Sequence, residues 1–246
     1  MWRVDRVRAV EEDLARAGAR WDDGPGAGAW ILPLLDEPGA ALAAHVPDVF
    51  EDYAVVPFPR DAEGDVRSGA AFDRLDALLD VLAPWTGDQP VHVGLWEGWG
   101  FLFDHGADPV TSPGMAALVL DDDRPRWWQR GRVARARRHE LARAQHEAGA
   151  AMAEGRVERP GAAPLDTPYM ARYLWTGPLR SATALRRQGE PPSLVWPDDR
   201  RWFVAVPEYS REAAVGGSRQ LVEAVLADAR LDARPALPST VLDIDD

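Results

Sequence analysis

Apolar positions recur at two different periods along this chain, and the change from one to the other predicts both helices and strands. Val4, Val7, Val10 and Leu14 lie three and four residues apart, one face of a helix that Gly18 ends. Phe72, Leu75, Leu78, Leu79 and Leu82 repeat the pattern, with Asp73, Arg74, Asp76 and Asp80 on the opposite side. Ser68 is the expected N-cap of that helix and Pro84 its stop. From Pro90 the period becomes two: Val91, Val93 and Leu95 on one face, His92 and Trp96 on the other, with a bend expected at Gly98 and Gly100. Further strands are predicted over residues 29–35, 52–58, 170–179, 193–197 and 201–206, and Pro57 marks the edge or end of the second of these. A short helix is expected over residues 181–188. Another, with the face Leu221, Val222, Val225 and Leu226, opens at Val215-Gly216-Gly217-Ser218.

Helices and strands are mixed in order, and the strands alternate rather than run continuously apolar. That predicts an α+β fold with a mixed, mostly antiparallel sheet packed against several helices. One long Ala/Arg-rich stretch after Asp123 has high helix propensity but a thin apolar stripe (Trp128, Val133, Leu141, Met152), so a partly exposed helix is expected. The 246 residues suit one globular domain. Any division falls at residues 156–168, where Pro160, Gly161, Pro164 and Pro168 cluster, and residues 235–246 read as a loosely held acidic tail.

Composition narrows the function. Hydrophobic residues are 46% and charged residues 28%, as in ordinary globular chains. No apolar run reaches the roughly 20 residues of a membrane helix. Met1-Trp2-Arg3-Val4-Asp5 lacks the apolar core of an export signal, and Cys is absent, so a cytoplasmic location is expected. All basic residues are Arg, and Lys and Asn are missing, a codon bias that indicates a GC-rich genome. The net charge of −12 argues against general nucleic-acid binding.

Candidate chemistry is sparse. His139-Glu140-Leu141-Ala142-Arg143 begins like a zinc-protease helix but has Arg143 where the second ligand belongs. His146, seven residues after His139, lies about 10 Å along a helix, too far to share an ion. No metal site and no cofactor are expected. Nucleophile-elbow, Walker and dinucleotide motifs are absent, and no catalytic residue is assigned. Arg124, Arg126, Arg130, Arg132, Arg135, Arg137 and Arg138 surround Trp127 and Trp128; this basic cluster reads as a solvated face in preference to a base-stacking surface. Trp96, Glu97 and Trp99 follow one strand, Trp202 lies in another that ends near Glu208, and Arg200 stands in the turn before it. If those strands adjoin, two carboxylates share an aromatic pocket; otherwise the aromatics are core and the glutamates strand-end charges. Gly216, Gly217 and Ser218 offer either an anion cradle at a helix start or a hinge with a cap.

The runs Val93-Gly-Leu-Trp-Glu-Gly-Trp-Gly100, Tyr173-Leu-Trp-Thr-Gly-Pro-Leu179, Leu194-Val-Trp-Pro-Asp-Asp-Arg-Arg-Trp-Phe-Val-Ala205 and Val215-Gly-Gly-Ser218 resemble a set of actinobacterial proteins that share such elements. Here Val215 directly precedes the Gly pair, and the aromatic step of that set's last element is not evident. The resemblance spans about Pro90 to Asp228 apart from the Arg-rich insert, and implies no activity. With eleven Trp and an acidic charge, the sequence is read as a non-enzymatic cytoplasmic interaction protein, immunity-like or regulatory, with a protein partner that is basic. The alternative is a small-molecule binder or enzyme with an acidic, Trp-lined pocket.

Overall fold

A computed structural model describes residues 5–61, 66, 69–99, 102, 160–168 and 170–244. The chain divides into two compact units, Met1–Val7 with Gly98–Arg159, and Arg8–Glu97 with Pro160–Asp246. The Arg-rich stretch expected to form a long helix, with its Arg124 to Arg138 cluster, His139 and His146, falls outside the described residues. In the first unit, Leu102 donates its N–H to the Trp99 carbonyl at 2.9 Å. The second unit carries the sheet.

The fold class is α+β, as the alternation predicted. Nine strands are described: β1 (Arg20–Trp21), β2 (Asp52–Pro57), β3 (Val91–Trp96), β4 (Leu165–Asp166), β5 (Ala171–Gly177), β6 (Leu194–Pro197), β7 (Trp202–Ala205), β8 (Glu212–Gly217) and β9 (Arg234–Ala236). They form one antiparallel sheet in the order β1-β5-β3-β6-β7-β8-β2-β9, with β4 also on β5. The described α-helices are α1 (Asp5–Arg16), α2 (Ala70–Thr86) and α3 (Arg219–Ala227). None of the described helices is long and apolar enough to cross a membrane.

Register fixes which side chains share a face, because opposed residues point the same way. Val93 pairs with Trp175 and Val195, Val195 with Val204, and Trp202 with Gly217. This face meets the helices: Trp202 Nε1 donates to Thr86 Oγ1 at the end of α2, and Leu221 of α3 fills the space a Gly217 side chain would take. On the other face Tyr53, Val55, Leu174, Leu194, Trp196 and Phe203 pack with Ile31, Leu42, Val46 and Leu242. That layer comes from the irregular segment around residues 25–50 and from the C-terminal strap.

Several expected elements differ. Residues 29–35 are no strand but contain a 3₁₀ turn at Leu32–Leu34; Pro33 has no N–H for a ladder, and only Ile31 is buried in its core. Residues 181–188 form two 3₁₀ segments rather than one helix. The N-cap position of α2 is Gly69, with φ 76°, rather than Ser68, and Pro84 sits inside its last turn rather than stopping it. Pro57 is the last residue of β2, which is flanked on both sides by β8 and β9. Val215, Gly216 and Gly217 belong to strand β8 and do not open α3. The tail is held: β9 pairs with β2, Leu242 is buried, and Leu242 N–H donates to the Ala40 carbonyl at 2.8 Å.

Candidate functional site

The residues singled out in the sequence do not make one pocket. Register places Trp96 opposite Arg172, on the face away from the helices, while Trp202 lies fully buried on the helix face. Glu97 N–H continues the β3–β5 pairing by donating to the Ala171 carbonyl at 2.9 Å. Trp99 belongs to the other unit. Arg200 has φ 60° in the β6–β7 hairpin and holds its guanidinium 5.2 Å over the Trp30 ring, which meets Trp196 and Phe203 edge-on. Arg200 is thereby tied to the aromatic core and stands apart from Glu208.

The glycine cradle is closed as well. A Cβ on Gly216 would come 2.5 Å from Phe50 Cδ2, and one on Gly217 2.9 Å from Leu221 Cδ2. Both glycines serve close packing. Ser218 is the cap of α3, accepting from Leu221 N–H at 3.4 Å. The Glu51 carboxylate already takes the Arg219 N–H at 3.0 Å, so the helix start holds an anion of the protein itself.

What the fold does assemble is a buried polar cluster on the face opposite the helices. Arg172 in β5 and Glu208, after β7, have side chains only 4% and 3% exposed and pair at 2.9 Å. Ser193 Oγ donates to the second Glu208 oxygen at 2.6 Å. Arg172 Nη1 donates to Thr167 Oγ1 at 2.5 Å and to the Met170 carbonyl at 2.9 Å. The Arg172 Nε is buried and makes no hydrogen bond among the described residues. A charge pair removed from water needs this many satisfied partners to survive the loss of its hydration.

His45 completes the cluster. Its Nε2 lies 3.1 Å from the Gly39 carbonyl, which only accepts, so that nitrogen carries the proton. Burial pushes the His45 pKa down to about 4; the Gly39 bond opposes that shift and the Arg172 charge adds to it. His45 is therefore neutral at pH 7. With Thr167, Arg172 and Ser193 it lines a cavity of about 10 Å³, room for a single water molecule. A cavity that small does not hold a metabolite, and the cluster ties together the segments that carry Thr167, Arg172, Ser193 and Glu208. Among the described residues no group of three or more His, Cys, Asp or Glu is placed to hold a metal ion.

The part it locks is the turn from Pro207 to Ser210. Ser210 N–H donates to the Pro207 carbonyl at 3.0 Å, and Tyr209 at the third position has φ 62°. Turns of this shape normally put Gly or Asn there. Tyr209 is 56% exposed, and its ring meets Trp96 edge-on at 5.9 Å. Trp96 thus meets the Glu208 segment at Tyr209. Arg172, Ser193, Thr167 and His45 were not singled out in the sequence. One signal was legible: an Arg on the same strand face as Leu174 cannot be buried without a counter-charge.

A second internal carboxylate is matched in the same way. Glu212 accepts both guanidinium nitrogens of Arg234, at 2.8 and 3.2 Å, and the Asp243 N–H at 2.8 Å. Asp13 is likewise buried, bonded to Arg16 at 2.5 Å. Comparisons with protein-family models, with curated proteins and with solved structures give no match to this chain.

Proposed function

We propose that this chain is a non-enzymatic interaction protein that engages a basic protein partner through its sheet unit. The observation that carries the reading is the distribution of charge. The sheet unit holds 30 Asp and Glu against 16 Arg, whereas the other unit holds 10 against 12. The buried carboxylates Glu208, Glu212 and Asp13 are each paired with an arginine, of which Arg172 is buried and Arg16 and Arg234 reach the surface, so the imbalance lies with the other carboxylates. A surface of one sign steers a partner of the other and rejects like-charged competitors. The closing of the polar cluster around a water-sized space weighs against an acidic, Trp-lined small-molecule pocket at that place, as does the separation of Trp202 from Trp96 across the sheet.

The test is affinity capture with the full chain from the cytosol of its native host. A stoichiometric partner with a basic isoelectric point, eluted by salt, is the expected result. Recovery of no specific protein, or of an acidic one, overturns the reading.

A further inference from the structure

We infer that the irregular layer on the sheet face away from the helices is where that basic partner docks, meeting it with apolar side chains flanked by arginine or lysine; this rests on the function proposed above. The layer is built from residues around 25–50 and from the C-terminal strap. Residues 21–52 hold seven Asp and Glu and no Arg or Lys, and residues 235–246 hold three acids and again no base. Arginines from other segments meet it at its borders: Arg219 bonds Asp52, Arg60 and Arg211 bond Asp243, and Arg200 covers Trp30. Asp36 and Glu37 are exposed and make no ion pair among the described residues. The Asp48 carboxylate accepts from the Tyr53 hydroxyl at 3.2 Å.

The same layer supplies most of the exposed apolar surface. Of the five large apolar side chains exposed among the described residues, four lie in it: Leu32, Val49, Leu237 and Val241. Their chain neighbours Ile31 and Leu242 are buried, so Leu32 and Val241 stand outward from a backbone that is itself packed. Main-chain bonds join the segments. Asp48 N–H donates to the Leu34 carbonyl at 3.3 Å, Asp36 N–H to the Ala43 carbonyl at 3.0 Å, and Ala43 N–H to the Pro238 carbonyl at 2.9 Å. Apolar groups gathered on joined segments mark a contact surface for another protein, and one already held in place costs little ordering on binding. Acids beside them, with no base among them, select a partner of positive charge.

The experiment uses the full chain and a fluorescent peptide of alternating arginine and leucine at low salt. One variant combines Asp36→Asn with Glu37→Gln, a second Val49→Ser with Val241→Ser. The control, Glu11→Gln with Glu12→Gln, removes the same charge from exposed positions of α1. Binding to the native chain is expected, weakened about two- to tenfold by each face variant and unchanged by the control. Thermal unfolding separates loss of the face from loss of the fold, and the two face variants test it at separate residues. Native affinity in either face variant, or a loss in the control equal to that of the acidic variant, overturns the docking face while leaving the acidic reading standing. No binding of the peptide by the native chain overturns the acidic reading and the docking face with it.

Discussion

Replacing Arg172 by Met tests whether the buried pair holds the sheet unit together. Both charges are almost wholly removed from water, at 4% and 3% side-chain exposure. Removing one leaves the other buried without a counter-charge, which costs about 3–5 kcal/mol. Glu208→Leu should cost a similar amount for the mirror-image reason. The double variant Arg172→Met with Glu208→Leu has no stranded charge. Its cost should fall to roughly 1–3 kcal/mol, the loss of the bonds from Arg172 to Thr167 and Met170 and from Ser193 to Glu208. The singles are therefore strongly non-additive, with a coupling on the order of 2 kcal/mol or more. Urea unfolding followed by Trp fluorescence reads the midpoints. Single variants that each lose less than about 1 kcal/mol, or a double whose loss equals the sum of the two, would refute the reasoning.

Other outcomes follow from the same structure. His45 has a folded pKa of about 4 against its ordinary 6.5, so the unfolded chain takes up that proton first. Its contribution is complete above pH 6.5 and is lost as pH falls through 4, roughly 3 kcal/mol in all; His45→Gln should flatten urea midpoints measured across that window. Gly216→Ala drives a methyl against the Phe50 ring and should destabilise by about 1–3 kcal/mol with no positive φ involved, measured by thermal unfolding. Ser218→Ala removes a single capping bond and should cost about 1 kcal/mol by the same assay.

Much of the fold was legible because its signals are local. The alternation of Val91, Val93 and Leu95 and the helical spacing of Phe72 to Leu82 each appear within one element, and both stand in the structure. Strand β8 was not legible. Its end is glycine because Phe50 crowds Gly216 and Leu221 crowds Gly217, and a glycine pair reads locally as a hinge. The tail looked loose for a similar reason: its Pro and Asp residues are loop formers, but β2, Ala40 and Glu212 supply partners from far along the chain.

The site was half legible. Glu208 stood out as a carboxylate beside aromatics, yet its partners lie 36 and 15 residues away, at Arg172 and Ser193. Period-two reasoning assigns a strand its faces but not its neighbours, so it left Trp202 and Trp96 as candidates for one pocket. Only the register shows them on opposite sides. The Trp surplus likewise changed meaning: Trp175, Trp196 and Trp202 are fully buried, so much of it builds core.

The central claim is that the exposed acidic surplus of the sheet unit drives partner binding, and the salt dependence of that binding tests it most directly. Association of the full chain with its captured partner, followed by stopped-flow fluorescence, should show an on-rate that falls steeply as salt rises while the off-rate changes little. An on-rate indifferent to salt would contradict the account.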